Sequence, residues 1–122
     1  LLAPVLSQPS LPIGRGRKGA ADLHLSTEDL EVVKARCREE DLCVLGLRFT
    51  GDPFVPAARF ETLRHELGDS FIGVEIDSGP DNPHAIRAKA HSVLTEDLVD
   101  EPGHPTHEAL EQVLTFVRDR LS

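Results

Sequence analysis

The chain has 122 residues, enough for one domain with a modest core. Its 13 basic and 21 acidic residues give a net charge of −8. That excludes nucleic acid as a general partner, because phosphate binding needs a basic surface. No run approaches the ~18 apolar residues that cross a bilayer, and neither a membrane span nor a signal peptide is expected, so the expected location is the cytoplasm.

The two cysteines, Cys37 and Cys43, do not make a secreted disulfide framework. They are expected as small buried apolar residues. The chain contains no methionine and opens on apolar sequence, Leu1 to Leu6. It is therefore expected to be the C-terminal part of a longer protein.

In chain order, a short strand is expected over Val5 to Ser7, ending at Gln8-Pro9-Ser10-Leu11-Pro12. Ile13 to Ala21 reads as a Gly- and Arg-rich loop. Ser26 is placed to cap a helix, with Asp29 at the third helical position, as in a capping box. Leu25 and Leu30 occupy hydrophobic-staple positions. Leu30, Val33 and Cys37 then form one helical stripe.

Leu42 to Leu47 is an apolar run of strand length, suited to a parallel strand over Leu42 to Arg48 covered on both faces. It breaks at Thr50-Gly51-Asp52-Pro53, where Gly and Pro end regular structure and leave Asp52 on a tight loop. A helix from Pro56 to Leu67 presents Phe60, Leu63 and Leu67 on one face, and Gly68 closes it. Phe71 to Ile76 reads as a strand, with Ile72, Val74 and Ile76 pointing one way. Asp77 to Pro105 holds four prolines and no helix signal; a connection that long in a compact domain is functional or disordered. Its centre, His91-Ser92-Val93-Leu94, is too apolar for a disordered linker. A final helix from Thr106 to Leu121 is expected to bury Leu110, Val113, Leu114, Val117 and Leu121. The pattern β-α-β-α-β-loop-α predicts an α/β fold with a parallel sheet and helices on both faces.

In open α/β sheets ligands sit beyond the carboxyl ends of the strands. Asp52 lies there, and its alternative role is a turn residue capping local amides. His91, alone, is more often a surface or satisfied core histidine. As a pair they have a chemical logic: a carboxylate accepting the Nδ1 proton fixes the imidazole tautomer, and Nε2 can then deprotonate a nucleophile. Both loops belong to one edge of a parallel sheet, so Asp52 is expected beside His91 Nδ1, with the other ring nitrogen facing an open cleft.

Other constellations are weaker. His84, His91, His104 and His107, with Asp97, Asp100 and Glu101 nearby, invite a metal reading. However, His104-x-x-His107 straddles Pro105 and is neither the helical His-x-x-x-His pair nor a finger spacing. Gly14-Arg15-Gly16-Arg17-Lys18-Gly19 matches G-x-G-x-x-G in letters only, since no helix is expected to open on the third glycine. Ser7, Ser10, Cys37, Cys43 and Ser92 are nucleophile types, but none stands in a G-x-[SC]-x-G elbow. No cofactor and no metal are expected.

The stretch from Leu45 to Phe60, with Ala90-His91-Ser92-Val93-Leu94-Thr95 and the opening Ser7-Gln8-Pro9-Ser10-Leu11-Pro12, resembles the dienelactone hydrolase family of α/β-hydrolases. The resemblance covers nearly the whole chain. It implies that residues 1–122 are one partial α/β-hydrolase domain, with Asp52 the triad acid and His91 the triad base. The family's nucleophile, a Cys or Ser, would lie before Leu1, so this chain alone is expected to be inactive. The implied substrates are small esters or cyclic lactones, hydrolysed through an acyl-enzyme. Arg48 or Arg59 would suit a substrate carboxylate, and structural ion pairs explain either one equally well. Self-association through an exposed sheet edge is expected. A non-catalytic α/β interaction module is the alternative reading.

Overall fold

A computed structural model describes residues 3–10 and 16–121. The apolar start at Leu1 and Leu2, and Leu11 to Arg15 with the first half of the Gly-Arg motif, lie outside the described residues. Three strands form one parallel sheet in chain order: β1 (Val5–Ser7), β2 (Val44–Phe49) and β3 (Phe71–Ile76). Ser7 pairs with Leu47, and Phe49 with Ile76. The helices are α1 (Gly16–Ala21), α2 (Thr27–Glu39), α3 (Ala57–Leu67) and α4 (Pro105–Leu121). The fold is α/β with a three-stranded parallel sheet.

The central strand explains the layering. All six residues of β2 are buried, as a continuous apolar run requires when both faces are covered. Val44 joins Phe60, Leu63, Leu67 and Phe71 in a core under α3, against which Val33 and Cys37 of α2 also pack. Phe60 and Phe71 meet edge to face at 5.4 Å. A Cβ on Gly46 would come within 2.8 Å of the Phe71 ring, so only glycine fits between those aromatics. On the other face Leu47, Phe49 and Ile76 pack with Ala90, Val93 and Ala109 under α4 and the long loop.

Ser26 caps α2 by accepting the Asp29 amide at 3.0 Å. Leu25, at the staple position, is 47% exposed. Gly68 ends α3 with φ of 55°. Gly16–Ala21 is helical, where the sequence reads as loop. The reason is tertiary: Arg59 donates to the Gly19 and Asp22 carbonyls at 3.4 and 2.9 Å, near the end of a helix whose last carbonyls have no partner of their own. The final helix also differs from expectation. It buries Thr106, Ala109 and Phe116, whereas Leu114 and Leu121 are exposed, because only the part facing Leu47, Phe49 and Ile76 has a sheet to cover. Cys37 and Cys43 are free and half-buried rather than fully buried; Cys37, on α2, packs only at the margin of the core.

Candidate active site

β2 ends at Phe49, and its last carbonyl accepts the Asp52 amide at 3.2 Å, closing the turn. Gly51 makes that turn possible. A Cβ there would fall 2.5 Å from the Ala88 carbonyl and 2.8 Å from Ser78 Oγ, so the loop after β2 lies directly on the loop after β3. The Gly51 amide donates to Ser78 Oγ at 2.8 Å, and the Ser78 amide to Thr50 Oγ1 at 3.0 Å. Two parallel strands thus deliver two sewn-together loops to one edge of the sheet.

Asp52 is buried there, with no exposed side-chain surface. Its Oδ1 accepts the Phe54 amide at 2.9 Å. Its Oδ2 accepts Gln8 Nε2 at 3.0 Å and meets His91 Nδ1. The two residues lie 39 apart in sequence. The carboxylate therefore faces three donors, which fixes the Nδ1–H tautomer of the imidazole. The His91 side chain is 38% exposed, against none for Asp52. Among the described residues Nε2 has no protein partner. The Phe54 ring meets the imidazole edge to face at 5.6 Å.

A second carboxylate holds the histidine backbone. Asp97 Oδ2 accepts the amides of His91 and Ser92, each at 3.0 Å. Arg87 reaches both Asp97 oxygens, at 2.6 and 3.0 Å. The Arg87 hydrogen bond holds the Asp97 carboxyl below its ordinary range; burial opposes this, and the two backbone amides add to it. Ala90 and Val93 are fully buried on either side of the histidine, so the loop is anchored by apolar contact as well.

Neither arginine considered for a substrate carboxylate is available for one. Arg48 Nε donates to the Val55 carbonyl at 3.1 Å, Nη2 to the Thr50 carbonyl at 3.2 Å, and Nη1 to Glu75 Oε2 at 2.7 Å. Arg59, 1% exposed, donates to the Asp22, Pro9 and Phe54 carbonyls. Burial pushes its pKa down, and Asp22 opposes that shift. Both guanidiniums staple the turn that carries Asp52.

The other histidines form no common site with His91 among the described residues, although the rings of His84 and His104 meet edge to face at 5.3 Å. His104 Nδ1 accepts the Thr106 amide at 3.2 Å and lies 2.7 Å from the Thr106 hydroxyl, and His107 Nδ1 pairs with Asp100 at 2.7 Å. Among the described residues no three His, Cys, Asp or Glu side chains converge to hold a metal ion. No hydrogen bond joins His91 to a serine or cysteine side chain among them either. The hollows of about 450 and 430 Å³ lie elsewhere, under α4 and around Arg59, so the open side of His91 belongs to neither. Gln8 and Asp97 escape sequence reasoning: one sits in a Pro-rich tail, the other in a polar run without period.

No family model matches the chain, and no curated protein or solved structure does. Among the described residues no helix is long and apolar enough to cross a membrane.

Proposed function

We propose that the chain carries the acid–base half of a dienelactone hydrolase-like enzyme acting on small ester or lactone carbonyls. The observation that supports this reading is the contact of a fully buried Asp52 carboxylate with Nδ1 of a half-exposed His91, at the carboxyl edge of adjacent parallel strands. In such a pair the carboxylate holds the tautomer and stabilises the imidazolium, while Nε2 takes the nucleophile's proton and returns it to the leaving group. The attacking oxygen or sulfur forms an acyl-enzyme, and water later releases the acid by the same base. The nucleophile, Cys or Ser, comes in this reading from chain preceding Leu1, giving the order nucleophile…Asp…His. The supporting parts are Gln8 on the carboxylate, Asp97 on the histidine backbone and Arg48 with Arg59 under the turn.

The test has two arms. Residues 1–122 alone should hydrolyse nitrophenyl esters no faster than buffer. The complete gene product should hydrolyse them, and Asp52→Asn and His91→Ala should each lower kcat by about 10³-fold or more. If upstream sequence holds no G-x-[SC]-x-G elbow and both variants match the unsubstituted protein, the pair serves structure. The chain is then an α/β interaction module.

A further inference from the structure

Gln8 carries two local costs that the pairing of β1 with β2 does not require. Its φ of 51° puts a non-glycine residue in the left-handed region, where Cβ crowds the backbone. Its Oε1 is buried without a hydrogen-bond partner among the described residues, a rare state for an amide oxygen. Both fall on a residue 7% exposed whose Nε2 ends 3.0 Å from Asp52 Oδ2. Backbone strain of this kind persists where the surroundings hold it, and it clusters where a side chain must be kept in one place.

The placement has a simple origin. The Gln8 amide donates to the Leu47 carbonyl at 3.0 Å, extending the Ser7–Leu47 pairing one residue past the end of β1. From there the side chain crosses to the loop after β2. An ionised carboxylate only accepts, so the amide must present its NH₂ to Asp52 and leave Oε1 behind. The stranded oxygen is the by-product of that choice.

We propose that Gln8 is a positioning residue for the Asp52–His91 pair, fixing the carboxylate oxygen that accepts the imidazole Nδ1 proton; its use in turnover rests on the hydrolase reading above. The Phe54 amide holds Oδ1 alone, which leaves the carboxylate free to pivot about that bond. A second donor on Oδ2 removes the pivot and turns that oxygen to His91. A neutral amide suits this task. Lysine or arginine in its place would neutralise Asp52 and weaken its hold on an imidazolium, whereas glutamine orients the charge without cancelling it.

Gln8→Met keeps length and volume while removing the donor. His91 reports through the ¹⁵N shifts of its ring nitrogens and the solvent exchange of its Nδ1 proton. Neither needs a substrate, so a failed ester assay and a failed positioning role give separate results. The Nδ1 proton should exchange about tenfold faster in Gln8→Met, as expected for losing one hydrogen bond to a carboxylate. The ring shifts should move from a single Nδ1–H tautomer towards a mixture. Should Gln8→Met fail to fold by circular dichroism, Gln8→Asn is the second variant. Asparagine favours the left-handed backbone, and its amide is one methylene too short for Asp52, so the fold should hold and the same His91 changes appear. A folded Gln8→Met or Gln8→Asn whose His91 shifts and exchange match the unsubstituted chain would overturn the proposal and leave Gln8 a packing residue.

Discussion

Asp97 does for the histidine backbone what Gln8 does for the carboxylate. It accepts two successive amides with one oxygen while Arg87 holds both oxygens from outside. Asp97→Ala leaves the His91 and Ser92 amides without an acceptor, at a cost of about 1–3 kcal/mol. Urea unfolding should show that loss, and hydrogen exchange at the two amides should quicken more than elsewhere. The same clamp sets an acid limit. The Asp97 carboxyl is held below its ordinary value of 3.8 in the folded chain, chiefly by Arg87. Its contribution to stability is therefore complete above that value and is lost as pH falls through the lower folded one. Protection of the two amides should stay level from neutral pH to about 4 and fall only in stronger acid. An earlier loss would show that Arg87 does not govern the carboxyl.

Among the elements, the long connection between β3 and α4 is ordered by polar contacts rather than by secondary structure. Asn82 bonds the Ile86 amide and carbonyl at 2.8 and 2.9 Å. Thr106 ties the Val99 amide to the start of α4 at 2.9 Å. His104 completes that start by accepting from Thr106, which requires Nδ1 to be unprotonated. Burial, then the neighbouring His84, push the His104 pKa below its usual 6.5, with Glu101 opposing. A base with a depressed folded pKa stabilises the fold fully above its unfolded value, and less as pH falls through the folded one. The first turn of α4 should accordingly lose amide protection below about pH 6.5, and His104→Asn should flatten that dependence.

β2, α3 and β3 announce themselves through apolar period and the Gly-Asp and Gly68 stops, so Asp52 could be placed on a loop at the sheet edge from sequence alone. The long loop with an apolar centre likewise marked His91. By contrast, α1 rests on carbonyls capped by Arg59, far along the chain. Gln8 meets Asp52 across 44 residues through a left-handed backbone that no local pattern predicts. The exposed face of α4 was misread because its leucines repeat at helical spacing beyond the sheet available to cover them.

For the whole molecule, a three-stranded parallel sheet leaves two outer edges, on β1 and β3, that no strand covers among the described residues. On β3, Ile72 is 41% exposed, and a groove of about 450 Å³ under α4 is lined by Leu45, Ile72 and Phe116. Unpaired edges and open apolar surface favour association. Residues 1–122 should therefore sediment as more than a monomer at micromolar concentration, and Ile72→Lys should shift them towards the monomer. A strictly monomeric species at all concentrations would contradict the expectation. If Asp52 and His91 serve a covalent hydrolase, as proposed, a pre-steady-state measurement reads their role without further assumptions. The complete gene product mixed rapidly with a nitrophenyl ester should release a burst of nitrophenol equal to the enzyme concentration, before a slower steady rate. His91→Ala should abolish both phases. A burst of undiminished rate and amplitude in His91→Ala would contradict the account, whatever the contact between the two side chains.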